Sequence, residues 1–374
     1  MKIMVLCSGA AALALAIGGT AATAKPGDKI AGSYICVFKA GSVARGNVRS
    51  EAARAAGNGL KHVYENSIRG FSASGNSAAA LAGRNPHIAY CEQDQEVEAI
   101  QSGGPFDFRV VGKPAPPTSQ PPQAVQWGVL RVKGGAGTGS GSGTAWVIDT
   151  GIDLDHPDLN VDVARSRSFI RDSSPDDANG HGTHVAGIIG AEDNTIGVVG
   201  VSPGANLVAI RVLDRNGRGS NSDVIAGVDW VAGHGSNGDV ANMSLGGGVS
   251  TALDGAVVAA AGTGVKFTLA AGNESDSATN HSPARANGTN VYTVSSFANG
   301  DNWSSFSNFG NPPVDYAEPG SSIRSTYKGG GYATLSGTSM AAPHLAGILM
   351  TSAPKSGGTV KGDPDGNPDT IGTK

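Results

Sequence analysis

Ala145-Trp146-Val147-Ile148 is an apolar run with no polar side chain on either face, bounded by glycine-rich sequence. Alternate residues of a strand point to opposite faces, so a strand of this kind must be covered on both. Similar runs recur at Leu207 to Leu213, Val240 to Leu245, Val265 to Ala271 and Val291 to Ser295. Helical candidates alternate with them, at His184 to Ile189, Asp223 to Ala232, Ala252 to Ala261 and Met340 to Met350. The expected fold class is therefore α/β, a parallel sheet with helices on both faces. In such sheets reactive groups collect at the carboxyl ends of strands and at helix N-termini.

The chain ahead of this pattern reads differently. Lys2, the apolar stretch Ile3 to Ile17 and the small residues Ala22-Thr23-Ala24 have the three regions of a secretory leader, cut after Ala24. Beyond it no apolar run reaches membrane length. Residues 25–101 form a compact α+β unit, with extended stretches at Tyr34 to Lys39, Ser67 to Ser74 and His87 to Val97 and helices at Ser50 to Ala56 and Ala78 to Gly83. Residues 102–122 carry Pro105, Pro114, Pro116, Pro117, Pro121 and Pro122, an extended linker at a domain boundary. The α/β region occupies residues 123–374. With 57 Gly and 19 Pro in 374 residues, the chain is glycine-rich without being low-complexity.

The net charge of −4 divides into +4 for residues 1–122 and −8 for the rest. No cluster of Lys and Arg is present, so nucleic acid is not expected as a partner. Cys7 lies in the leader and the other two cysteines, Cys36 and Cys91, precede residue 100. The α/β region therefore supports neither thiol catalysis nor cysteine-ligated zinc.

Three side chains in that region share the positions where such sheets place chemistry. Asp149 ends the buried run at Ile148 and precedes Thr150-Gly151, where the chain turns. His181 opens the small-residue helix His181-Gly182-Thr183-His184-Val185-Ala186-Gly187. Ser339 stands at the start of another helix, within Gly337-Thr338-Ser339-Met340-Ala341-Ala342-Pro343-His344. A strand-end carboxylate, a helix-start imidazole and a helix-start hydroxyl suit an orienter, a base and a nucleophile. Singly, each has a structural reading: a turn residue, a hydrogen-bonding histidine and a helix cap.

With the segments Val147 to Ile152, Asn179 to Gly187, Ser244-Leu245-Gly246-Gly247, Ala270-Ala271-Gly272-Asn273 and Gly337 to His344 taken together, residues 123–350 resemble the subtilisin-like serine proteases, nearest the proteinase K branch. The resemblance implies that Ser339 attacks a peptide carbonyl, His181 shuttles the proton, Asp149 orients the imidazole and Asn273 donates to the oxyanion. His184 is structural in that family. The pair His181 and His184 also lacks the spacing and the Glu of a zinc site. Gly217-Arg218-Gly219 and Ser244-Leu245-Gly246 align with the two segments that hold substrate as a third strand, and Ala271 with Gly272 would wall the primary pocket. No acidic residue is placed at the pocket floor.

The loop Glu192-Asp193-Asn194-Thr195-Ile196-Gly197-Val198 matches the family's high-affinity calcium loop in length. The implied Ca2+ ligands are side-chain oxygens of Gln123, Asp158 and Asn194 with carbonyls of Glu192, Ile196 and Val198, an all-oxygen set that suits a hard cation. The tail Gly362 to Asp369 spaces oxygen donors two apart but lacks the Glu of an EF-hand loop, and is expected to be disordered or turn-rich.

Residues 30–101 resemble the family's inhibitory propeptide, of ferredoxin-like arrangement. Its first and last strands are neighbours there and carry Cys36 and Cys91, so the resemblance implies a disulfide in an oxidising compartment; two buried thiols are the alternative. The opposite charges of the two regions are expected to favour their association. The expectation is a secreted serine endopeptidase, extracellular or periplasmic, made as a zymogen and monomeric, acting on polypeptides, with no membrane contact after loss of the leader. The alternative is a catalytically silent binding or surface protein of the same fold, which would have no need to keep Asn273 alongside Asp149, His181 and Ser339.

Overall fold

A computed structural model describes residues 25–100, 120–136, 143–171 and 173–374. The leader, most of the linker and part of the Gly134 to Gly143 lead-in lie outside the described residues.

The front region comprises β1 (Lys29–Phe38), α1 (Val48–Ala56), β2 (Leu60–Tyr64), β3 (Gly70–Ser74), α2 (Ala78–Ala82) and β4 (Ile88–Ala99). β1 pairs antiparallel with both β3 and β4, and β3 with β2. The helices cover one face, where Phe38, Val48, Ala52, Phe71 and Leu81 make a small core. The sequence reading missed β2, whose residues Leu-Lys-His-Val-Tyr alternate too weakly to stand out. Cys36 and Cys91 face each other across β1 and β4 and form a disulfide over 55 residues of sequence. Closing a loop of that length constrains the unfolded chain by about 4 kcal/mol in the chain-entropy treatment. Alkylation of the denatured, unreduced precursor should accordingly label neither cysteine, and labelling of both would refute the bridge.

The second region runs α3 (Trp127–Arg131), β5 (Thr144–Asp149), β6 (Arg167–Ser168), α4 (His181–Gly190), β7 (Asn206–Arg211), β8 (Arg218–Ser220), α5 (Asn221–His234), β9 (Val240–Met243), β10 (Leu245–Gly247), α6 (Thr251–Ala261), β11 (Lys266–Ala270), β12 (Val291–Ala298), β13 (Asn302–Trp303), β14 (Val314–Pro319), β15 (Ile323–Tyr327), β16 (Gly331–Leu335), α7 (Thr338–Leu349), β17 (Lys355–Thr359) and β18 (Thr370–Thr373). The main sheet is ordered β17-β18-β14-β12-β11-β9-β5-β7-β6. It is parallel from β18 to β6, as strands joined by crossover helices must be. Every residue of β5 is buried. One cluster on the sheet holds Val147, Val185, Ile189 and Leu345, the other Ile148, Val228, Ala256 and Phe267. Each large aliphatic side chain so buried contributes roughly 1.5–3 kcal/mol. Trp146 is accommodated because its Nε1 donates to Asp239 Oδ2 at 3.0 Å. Ser220 and Ser250 cap α5 and α6 through the N–H groups of Asp223 and Leu253.

Of the two alternatives for the C-terminal stretch, the turn-rich one is found, set between two strands: β17 and β18 make an antiparallel hairpin, and β18 adds to β14 through Ala317 and Ile371. The oxygen-rich stretch Gly362 to Asp369 is the turn-rich connection between those strands. Asp369 is buried there, with Ser295 donating to its carboxylate. The strands Lys-Ser-Gly-Gly-Thr and Thr-Ile-Gly-Thr carry almost no hydrophobic signal, and Ile371 alone anchors β18 in the core.

Candidate active site

β5 delivers Asp149 to the carboxyl edge of the sheet, where the Thr150 N–H donates to its Oδ1 at 2.7 Å. α4 starts beside it. Gly182 is required at this approach, because a Cβ there would stand 2.1 Å from the Gly151 carbonyl oxygen. The buried Asp177 carboxylate fixes the start of α4, accepting from the N–H groups of Asn179, Gly180 and Thr183 and from the hydroxyls of Thr183 and Thr150. As a result the His181 ring lies against Asp149, with Nδ1 at 2.8 Å from Oδ1 and 3.0 Å from Oδ2. Both side chains are fully buried, and His181 Nε2 has no hydrogen-bond partner among the described residues. A carboxylate on Nδ1 fixes the tautomer that leaves Nε2 free to accept a proton.

Ser339 is the second residue of α7, so its N–H is among those without an acceptor in the helix. Its Oγ donates to the Ser244 carbonyl at 3.0 Å rather than to His181; catalytic hydrogen bonds are often loose until substrate is in place. Ser244 Oγ in turn donates to the Ser339 carbonyl at 2.9 Å. The Asn273 carbonyl oxygen accepts from the Thr338 N–H at 2.9 Å and the Thr338 hydroxyl at 3.0 Å. That fixes which way the amide faces, and its Nδ2 is left buried with no hydrogen-bond partner among the described residues. The structure thus brings Asp149 onto His181, and ties both Asn273 and Ser244 to the start of the Ser339 helix.

Neither remaining histidine of these motifs joins them. His184 Nε2 faces the carbonyls of Ile323 and Ala333, and His344 Nδ1 donates to the Met340 carbonyl. Burial pushes His184 down to about 3, with the nearby His181 charge adding to it, and burial pushes His344 down to about 4. Both are therefore neutral structural donors near neutral pH.

The cleft segments are β8 with Gly217 before it, and β10 with Ser244 before it. Between them lies β4, antiparallel to both, with Val97 opposite Gly219 and Gly247, and Glu98 opposite Arg218 and Gly246. Further along, the Ala99 N–H donates to the Gly217 carbonyl at 2.9 Å and the Ile100 N–H to the Ser244 carbonyl at 3.2 Å. Leu245 is buried in the core below. Ala271 is buried, and Gly272, at φ +112°, turns the chain from β11 towards Asn273.

Specific groups, beyond net charge, join the two regions. The front region meets the second with acids: Asp94 accepts from the Ser222 N–H and hydroxyl at the start of α5, and Glu92 from the Ser250 hydroxyl before α6. These carboxylates satisfy helix N-termini, whose exposed N–H groups and dipole favour anions. Conversely, Asp229 on α5 accepts from the N–H groups of Glu65, Asn66 and Ser67. Net charge is summed over whole surfaces, and it does not report which groups an interface uses.

At the expected cation site Gln123, Asp158 and the Glu192 to Val198 loop converge. Gln123 Oε1 accepts from the Asn194 N–H at 2.7 Å, and Asp158 accepts from Asn194 Nδ2, the Val198 N–H and the Tyr332 hydroxyl. Two of the expected ligand oxygens, Gln123 Oε1 and Asn194 Oδ1, are engaged by the backbone N–H groups of Asn194 and Ile196, so a cation would need those amides to turn. No group of three or more carboxylate, imidazole or thiol side chains suited to a metal occurs among the described residues. The donors would thus be neutral oxygens plus one anion, Asp158. Burial holds that carboxyl up at about 6, and an all-oxygen set around a buried carboxylate is chemically suited to Ca2+.

Residues 145–354 match the subtilase family. This chain belongs to that family. It is similar to an alkaline serine exoprotease A of Vibrio alginolyticus, 43% identical over 300 residues, covering 77% of this chain and 52% of that one. It is also similar to the alkaline serine protease ver112 of Corniculantispora psalliotae, 35% identical over 365 residues, covering 94% of this chain and 87% of the other. An extracellular serine proteinase of Thermus sp. strain Rt41A is 40% identical over 291 residues, covering 76% of this chain and 66% of its own. Among solved structures, a cold adapted subtilisin-like serine proteinase matches with a TM-score of 0.57 and 42% identity, covering 66% of this chain and 96% of that one. The chain spans about half the length of the Vibrio relative. As a subtilase it has the enzyme class of a serine endopeptidase. Asp177 and Thr338, which position His181 and Asn273, went unnoticed in the sequence because an Asp or Thr beside a helix start reads as an ordinary cap.

Proposed function

We propose that this subtilase is an exported endopeptidase made as a zymogen, with Ser339 as nucleophile, His181 as base, Asp149 as orienter and Asn273 as oxyanion donor. The observation that carries this is a shared carbonyl: Ser244 O accepts from Ser339 Oγ and also from the Ile100 N–H. The front region's last strand is thereby laid as a substrate would be, with the Ile100 carbonyl next in line for the hydroxyl. Ser339 Oγ attacks that carbon and passes its proton to His181 Nε2, while Asp149 stabilises the imidazolium. The developing oxyanion takes hydrogen bonds from Asn273 Nδ2 and the Ser339 N–H. Collapse returns the proton to the departing amine of Gln101, and water then frees the acyl group by the same steps in reverse. Residues 25–100 act as the inhibitor held in the cleft, and the leader directs export. Labelling with a fluorophosphonate, with Ser339→Ala as control, tests the assignment; an unlabelled, processed enzyme would leave the silent binding protein as the reading.

Release of the front region should depend on pH. Burial raises Glu92, Glu96 and Glu98 of β4 above the usual carboxylate range, and Asp254, beside Glu92, to about 6. A carboxyl raised in the complex favours the complex when protonated, so association is tighter in acid and weakens as pH rises through the raised values. Native mass spectrometry of the cut complex should show more retained front region at pH 5 than at pH 8; equal retention would show that these carboxyls do not titrate on release.

For Ca2+ we assign Gln123, Asp158 and Asn194 with the carbonyls of Glu192, Ile196 and Val198 as the groups that would hold it. Bound there, the ion would supply charge compensation for Asp158 and cross-link the chain start to the 192–198 loop. A ligand bound only by the folded state stabilises by RT ln(1 + [L]/Kd). Chelator should lower the melting temperature of the enzyme, and Asp158→Ala should abolish most of that difference. No change with chelator and no calcium in elemental analysis would dismiss the site.

A further inference from the structure

The loop that carries Asn273 leaves β11 at Ala270 and belongs to neither a strand nor a helix, so its polar backbone groups need partners from elsewhere. Several of them find partners in one side chain, Asn308, which is fully buried. Asn308 Oδ1 accepts from the N–H groups of Glu274 and Asp276, both at 3.0 Å. Its Nδ2 donates to the Ala271 carbonyl at 3.1 Å and to Glu274 Oε2 at 2.6 Å. Its own N–H donates to the Gly272 carbonyl at 3.0 Å. Asn308 thus holds the residue before Asn273 and the residue after it, while Thr338 holds the Asn273 amide itself. The contact is tight: a Cβ on Gly272 would come within 2.1 Å of Asn308 Nδ2. Flanking backbone bonds, from the Ser275 N–H to the Phe306 carbonyl and from the Phe309 N–H to the Asp276 carbonyl, keep the two segments in register.

We infer that Asn308 is a positioning residue of the peptidase reaction, which sets where Asn273 Nδ2 stands relative to the oxyanion. An amide is needed because it offers an acceptor to two N–H groups and donors to a carbonyl and a carboxylate at once; no other side chain of its size does both. Its effect falls on the step in which charge develops, because displacing an oriented group by about 1 Å costs up to about 10²-fold in rate. Backbone pairing of substrate along β8 and β10 does not involve this loop, whereas Ala271 and Gly272, expected to wall the primary pocket, lie on it, so a smaller effect on binding accompanies the effect on turnover.

The inference rests on the proposed role of Asn273, and the test separates the two. Asn308→Ala should lower kcat by roughly 10- to 100-fold, with a smaller rise in KM because Ala271 and Gly272 share the loop. In the Asn273→Ala background the same change should cost no more than about threefold, since the donor it positions is gone. A full additional loss in the double variant would overturn the inference while leaving the role of Asn273 intact. An Asn273→Ala enzyme with unchanged kcat would instead overturn the oxyanion reading, and the inference with it. If Asn308→Ala does not fold, Asn308→Asp combined with Glu274→Gln keeps the acceptor for both N–H groups and restores a donor opposite. That pair restores the contact with residue 274 but not the donor to the Ala271 carbonyl, so kcat should recover only in part relative to Asn308→Asp alone, and a loss as large as that of Asn308→Asp alone would count against positioning.

Discussion

Ser339→Ala should lower peptide hydrolysis by about 10⁶-fold, the size of loss known for the nucleophile in subtilisin, and should leave the precursor uncut. The substitution removes the hydroxyl that donates to Ser244 O and little else, because Ala suits the first turn of α7 and the site is already buried. Folding should survive, and the uncut protein should keep β4 between β8 and β10. The Ile100 N–H donates to the carbonyl that also accepts from Ser339 Oγ, and in the proposed reaction the Ile100 carbonyl is the one attacked, so N-terminal sequencing of the first cut product should begin at Gln101. A purified Ser339→Ala precursor that still processes itself would show the cut to come from another enzyme. A first cut elsewhere would mean that the arrangement of β4 in the cleft is not the one that reacts.

The parts of this molecule that were readable in sequence are those where one residue type has one physical outcome. The buried run Ala145 to Ile148 became a central strand because no side chain in it is charged and all are buried. The ends of such strands and the starts of α4 and α7 then fixed where Asp149, His181 and Ser339 stand. Other features depend on partners far along the chain. β18 is in the main sheet only because Ile371 meets Ala317 there, which no local pattern announces. Asn308 is separated by over thirty residues from the loop it organises, and alone it is an asparagine before an aromatic residue and a glycine. The interface acids Glu92 and Asp94 were likewise invisible, since what they cap are helix starts more than a hundred residues away.

Asn273→Ala should reduce kcat by about 10²–10³-fold, the range known for the oxyanion-hole asparagine of subtilisin, with KM little changed. Three features of the site lead to this. The carbonyl end of the amide is committed to Thr338, so the Nδ2 end cannot turn away, and that nitrogen has no partner among the described residues. A buried donor left unpaired costs free energy in the resting enzyme, and the bond formed as the carbonyl oxygen becomes negative recovers it. The interaction is thus stronger in the transition state than in the ground state, which is the condition for raising turnover rather than affinity. Truncation to Ala also frees the Thr338 N–H and hydroxyl at the start of the Ser339 helix, so part of the loss could arise from a shifted nucleophile. Asn273→Asp separates the two contributions, because it keeps the acceptor for Thr338 and replaces the donor with a negative oxygen. It should be at least as slow as Asn273→Ala, whereas recovery towards the parent rate would mean that holding Thr338, and not donating to the oxyanion, is what Asn273 does.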